Sequence, residues 1–155
     1  MIRRAGTMGS KVQAGAPVGW SLIGSGSLTA ADRTTFGAIP ATYDRLLLTV
    51  SGGSGSATAN WNFEMSEDAG ATWPHSVPIT TASGAAVVFA LAISIENYRS
   101  LSTSLPKVAI VNRAISGSFL AGYTGIFSSA LPVNMMSVLL SAGTFDAGTW
   151  NLMGQ

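Results

Sequence analysis

The apolar side chains of this chain never recur at helical spacing over a stretch long enough to make a helix. A window of about 11–18 residues with apolar groups three and four apart would be needed, and none occurs. Short runs alternate instead. Asn60-Trp61-Asn62-Phe63-Glu64-Met65-Ser66 sends Trp61, Phe63 and Met65 one way and its polar residues the other, which is the two-residue period of a strand. Arg45–Ser51 does the same with Leu46, Leu48 and Val50 inward, although Leu47 then leaves an apolar group on the outer face. Lys107–Arg113, Tyr123–Phe127, Met135–Ser141 and Thr149–Met153 are of similar length, with turn signals between them. Strands of this length and spacing predict an all-β domain, an antiparallel β-sandwich of jelly-roll type.

Charge is the compositional anomaly. Only 10% of the 155 residues are Asp, Glu, Lys or Arg, against about 25% in an ordinary soluble domain. The surface must therefore be built from Ser, Thr, Asn, Gly and apolar groups, and a surface of that kind favours association. Much of it is expected to be covered by other protein chains. Eight basic and seven acidic side chains leave the net charge near zero, so there is no electrostatic footprint for nucleic acid. Without cysteine there is neither a disulfide nor thiolate chemistry. Arg3 and Arg4 are followed by polar residues where a secretory signal would be apolar. The longest apolar run, Ala85–Ile95, is too short to span a bilayer as a helix. No Sec-type signal and no membrane insertion are expected.

One domain of this length can bury about 68–70% of its unfolded surface. Residues 1–17, rich in Gly, Ala and Ser and carrying Arg3, Arg4 and Lys11, have no period and read as an extended N-terminal arm. Residues 18–155 form the sandwich. Within it, Gly24-Ser25-Gly26-Ser27 and Ser51-Gly52-Gly53-Ser54-Gly55-Ser56 read as flexible connections between strands. In Ala85–Ile95 the odd positions Val87, Phe89, Leu91, Ile93 and Ile95 are large, and the even ones are mostly small and all uncharged. Such a strand turns Ala86, Val88, Ala90 and Ala92 outward as a smooth face, which predicts a subunit interface there.

Ser66-Glu67-Asp68-Ala69-Gly70-Ala71-Thr72-Trp73 fits Ser-x-Asp-x-Gly-x-Thr-Trp. The pattern resembles the Asp-box, which marks a hairpin corner in sialidases, in other β-propellers and in many unrelated β-rich proteins. Asp68 is expected to accept backbone N–H groups two residues on, with Gly70 supplying a positive φ. Ser66 and Thr72 satisfy the other polar groups, and Trp73 folds over the corner. A sialidase-like propeller would carry one copy per blade, and this chain has one. The five residues Ser66, Asp68, Gly70, Thr72 and Trp73 are thus read as a structural turn.

Phe36-Gly37-Ala38-Ile39-Pro40-Ala41-Thr42-Tyr43-Asp44-Arg45-Leu46-Leu47-Leu48 resembles the opening of small β-sandwich domains in tailed-bacteriophage virion proteins. Gly143-Thr144-Phe145-Asp146-Ala147-Gly148-Thr149-Trp150-Asn151-Leu152-Met153-Gly154 is similar to their closing strand, with Met153 where an aromatic is usual. The resemblance covers Trp20 to Gln155 and implies a virion structural protein: a tail fibre, spike, baseplate or head decoration protein. It also implies a homo-oligomer, with a trimer as the expected state, tethered to other virion proteins by the arm. Such a chain would be assembled in the host cytoplasm and exposed on the particle. At a strand entrance Tyr43 is expected to cap the end of the sandwich while Asp44 and Arg45 stay wet. Asp146-Ala147-Gly148 is expected to be a turn, with Gly148 at positive φ.

Catalytic chemistry finds little to use. The single histidine, His75, has no Gly-x-Ser-x-Gly elbow to serve, and is expected on the loop leaving the hairpin, solvated or hydrogen-bonded. A glycosidase needs two carboxylates about 5–10 Å apart; Glu64, Glu67 and Asp68 are the one local acidic cluster, with Asp68 already taken by the turn. No catalytic residue, cofactor or metal site is assigned. Carbohydrate binding remains as an alternative: sugars stack on exposed aromatic rings, and Trp73, Tyr98, Tyr123 and Trp150 are candidates, with Asn97 and Arg99 beside Tyr98. Trp73, Tyr98 and Arg99 are the expected contacts to a host surface glycan, although most aromatics of a small sandwich fill its core.

Overall fold

The computed structural model describes residues 19–28, 30–83, 87–99, 106–115, 118–129 and 131–155, with side chains left aside at 80–83, 115 and 118–121. The arm expected at residues 1–17 and the interface candidate Ala86 lie outside the described residues. Ten strands follow one another: β1 (Ser21–Ser27), β2 (Arg33–Phe36), β3 (Leu46–Gly55), β4 (Ala59–Ser66), β5 (His75–Ser83), β6 (Phe89–Glu96), β7 (Lys107–Ile115), β8 (Ser118–Phe127), β9 (Met135–Leu140) and β10 (Phe145–Gly154). Sheet A runs β1-β10-β3-β6-β7-β8 and sheet B runs β2-β9-β4-β5, with all pairings antiparallel. Because β1 to β4 alternate between the sheets and β9 and β10 return between them, the order is that of a jelly roll. The hairpin β7–β8 is an addition that widens sheet A beyond the eight strands of that plan.

Each strand supplies alternate side chains to the space between the sheets. Leu46, Leu48 and Val50 of β3 and Leu91, Ile93 and Ile95 of β6 meet Trp61, Phe63 and Met65 of β4 and Met136, Val138 and Leu140 of β9. Trp61 stands edge-on to Phe89 and to Phe145, the latter at 4.9 Å between ring centroids, and such pairs add about 0.5–1.5 kcal/mol each beyond simple burial. Phe36 and Trp150 form a similar pair across the sheets at 4.7 Å.

Two glycine-rich stretches expected as flexible connections are strands. Gly24-Ser25-Gly26-Ser27 lies in β1 because the Trp150 indole lies across it; a Cβ at Gly26 would sit 3.0 Å from Trp150 Nε1. Ser51–Gly55 continues β3, with Gly53, Ser54 and Gly55 buried and the register shifted against both neighbours. The Phe89 ring occupies the space a side chain on Gly53 would fill. Asp146-Ala147-Gly148 is likewise a bulge inside β10 instead of a turn, while Gly148 does take a positive φ of 128°. The expected face of Ala85–Ile95 begins only at Phe89, with Val88 just ahead of β6. There Ala90 and Ala92 point outward from the middle of sheet A, opposite Ala114 and Asn112 of β7.

Candidate functional site

The hairpin between β4 and β5 closes on itself. Asp68 Oδ1 accepts the Ser66 hydroxyl at 2.7 Å and the Thr72 N–H at 2.9 Å, and Oδ2 accepts the Thr72 hydroxyl at 2.6 Å. These bonds, from the Thr72 hydroxyl first and the Ser66 hydroxyl next, lower the Asp68 pKa to about 2. The backbone contact of Asp68 is four residues on; Ser66 Oγ receives the nearer N–H groups of Asp68 and Gly70. Gly70 has its positive φ of 87°, and Ala69 before it is also left-handed at 56°. Asn134, from the loop before β9, accepts the Ala69 N–H and donates to the Glu67 carbonyl, and so pins the hairpin from outside it.

Trp73 leaves this corner and lies over the outer face of sheet B, its ring 4.5 Å from the Arg33 guanidinium. Arg33, on β2, donates to Glu64 Oε2 of β4 at 2.6 Å and to Ser137 Oγ of β9 at 3.0 Å. Glu64 is on the outer face as its alternation predicts, yet it is only 9% exposed and Ser137 is fully covered. Thus three strands are tied by one charged cluster under half of an indole. Arg33 escapes a reading of the residues alone, because β2 is too short to register as an alternating run.

His75 is the first residue of β5 and not part of a loop. Its Nε2 lies 3.2 Å from Glu67 Oε1, and its ring packs beside Phe127. Lys107, at the start of β7, is completely buried and donates from Nζ to the Ser129 carbonyl at 3.1 Å. Burial lowers its pKa, with the Glu67 carboxylate acting in the opposite sense.

At the other end of the sandwich, Tyr43 lies flat under Gly154, where any Cβ would collide with its ring. Asp44 pairs with Arg99, and Arg45 pairs with Glu96 at 2.6 Å, all at the surface. Tyr98 is fully buried; its hydroxyl donates to the Ile39 carbonyl, and burial pushes its pKa up to about 12. A buried phenol offers no face to a sugar, so Tyr98 is not a glycan contact, and Arg99 beside it is engaged by Asp44. Trp73 stays half-exposed, with one face on Arg33. The structure therefore does not bring Trp73 and Tyr98 to one site.

Among the described residues no group of three or more His, Asp or Glu side chains converges to hold a metal ion. Glu64, Glu67 and Asp68 each serve different partners: an arginine, a histidine and a turn. The chain matches no protein-family model, and no curated protein is similar to it.

Proposed function

We propose that this chain is a non-enzymatic structural component of a tailed-phage or phage-like particle, a fibre, spike, tail or head-decoration module that assembles through uncharged strand faces, with a trimer as the working state. The observation that carries the reading is how its two signature segments depend on each other. The opening segment, Phe36–Leu48, and the closing one, Gly143–Gly154, pair as β3 and β10. Asp44 and Arg45 donate their N–H groups to the Gln155 carbonyl, and the Tyr43 ring seats on Gly154. Residues that make such a resemblance by closing the domain on itself belong to a scaffold. The polar clusters support the same reading, since each is spent within the fold.

The arm, with Arg3, Arg4 and Lys11, would tether the domain to its particle. Antibody labelling of purified particles tests the role, and deletion of residues 1–17 tests the tether. Full-length chain is expected on the particle and the truncated chain in the supernatant; absence of the full-length chain overturns the role. A glycan-binding role has its support, among the described residues, at Trp73, which is half-exposed beside Arg33. Loss of glycan-array binding in Trp73→Ala with the fold intact would establish it.

A further inference from the structure

Strand β7 carries its polarity the wrong way round for a strand facing water. Lys107, Ala109, Val111 and Arg113 point between the sheets, and the Arg113 guanidinium donates to the Ile79 carbonyl of sheet B at 2.6 Å. Val108, Ile110, Asn112 and Ala114 point outward, opposite Glu96, Ser94, Ala92 and Ala90 of β6. A register slip of one residue would wet both cations and bury Val108 and Ile110, because the side-chain period is two. The observed register instead covers Lys107 and turns Arg113 inward, its Nε buried without a hydrogen-bond partner and its guanidinium over the Tyr123 ring. Taking a cation out of water costs several kcal/mol unless it is fully satisfied. That register is reasonable if the outward side chains are themselves buried in the assembled protein.

The surrounding face agrees. On β8, Ile126 is 68% exposed and stands opposite Val108, with Thr124 opposite Ile110. On β3 and β10, Leu47, Thr49 and Asn151 continue the same rows. Among the described residues, the strands of sheet A carry two acidic side chains, Glu96 at the end of β6, bound by Arg45, and the exposed Asp146 at the start of β10, which accepts the Ser54 hydroxyl. Six strands at about 4.8 Å spacing and roughly eight residues at 3.3 Å make a face of about 750 Å². A stable contact of standard size uses about 800 Å² per partner.

We propose that the outer face of sheet A, centred on β6 and β7, seats against the same face of a neighbouring copy of this chain. The size of the face fits one such partner. An uncharged face of small side chains calls for an equally uncharged, flat one, and this chain supplies it; sheets can then stack at about 10 Å. This rests on the assembly reading above and sharpens it: the partner is a second copy, the contact extends from one strand to the whole sheet, and its symmetry is two-fold in place of three-fold.

The test is solution mass by light scattering for the wild type, Ile110→Lys, Ile126→Glu and, on the outer face of sheet B, Thr35→Glu. Circular dichroism melts check that each is folded, and Ile126 is exposed enough in the single chain for its variant to fold. The wild type is expected as a dimer at about 10 µM. The two sheet A variants should raise the dissociation midpoint at least about 100-fold, since like charges brought together cost several kcal/mol, and Thr35→Glu should leave it unchanged. A monomeric wild type overturns the proposal, as does an oligomer that Ile126→Glu leaves intact or Thr35→Glu dissociates equally. A monomer that still enters particles would overturn this contact alone; an oligomer that enters none would overturn the virion role alone.

Discussion

The two outer faces of the sandwich solve the same problem in opposite ways. Sheet B puts a glutamate in the middle of its outer face, neutralises it with Arg33, gives it the Ser137 hydroxyl as a donor, and roofs the cluster with Trp73. Sheet A turns its cations inward and leaves Ile110, Ala92 and Ile126 outside. The first face is finished within the chain, whereas the second carries apolar surface with nothing of the described chain over it. An exposed strand face thus has two stable forms: polar groups satisfied locally, or apolar groups awaiting another protein.

The largest effect expected from this contrast is at Glu64. Glu64→Ala would strand Arg33 over a covered surface and leave Ser137 without its acceptor, costing about 2–4 kcal/mol in urea unfolding. A matched change on sheet A, Thr49→Ala, should move the single-chain stability by no more than about 0.5 kcal/mol. Equal losses at the two positions would break the contrast. Arg33→Met combined with Glu64→Leu should recover most of the loss, because replacing both members of a covered pair with apolar groups is often neutral.

Trp73→Ala comes next. It removes a cation–π contact worth about 0.5–1 kcal/mol and uncovers the Arg33–Glu64 pair to water. A loss of about 1–2 kcal/mol is expected, and Glu64→Ala should then cost less in the Trp73→Ala background than alone, which a double-mutant cycle reads directly. Additive losses would mean that the indole does not roof the cluster.

Sheet B also depends on pH through its hairpin. Asp68 titrates at about 2 in the fold against an ordinary 3.8. Its folded pKa is depressed, so its contribution is fully present above about pH 4 and is lost as pH falls towards 2. Trp73 fluorescence should change in that window, and Asp68→Asn should abolish the step while leaving the rest of the acid titration in place.

How far the sequence revealed all this follows from local physics. Trp61, Phe63 and Met65 alternate with polar neighbours, so β4 and the core beneath it could be read directly. The hairpin motif was equally legible, because Ser66, Asp68, Gly70 and Thr72 bond one another within a few residues. By contrast, β1 and the end of β3 were hidden: their glycines make poor strands alone and become strands because Trp150 and Phe89 fill the space above them. Arg33, Lys107 and Tyr98 were hidden for a related reason. Their partners Glu64, Ser129 and Ile39 lie 22 to 59 residues away, and only the topology brings them together.

The smallest effect is expected at the Arg45–Glu96 pair, at the end of sheet A. Arg45 donates two hydrogen bonds to Glu96 at 2.6 and 2.8 Å, in the two-pronged geometry that strengthens such pairs. Both side chains nevertheless remain substantially in water, where screening and the entropy of holding two long side chains cancel most of the gain. Glu96→Gln should therefore shift the melting temperature by less than about 2 °C and lose what little salt dependence the pair confers. If this face is covered by a neighbouring copy, however, the pair lies at its margin, and Glu96→Gln should weaken the oligomer far less than Ile110→Lys does. A larger effect of Glu96→Gln on solution mass than of Ile110→Lys would place the contact at the Arg45 end of the sandwich and remove β7 from its centre.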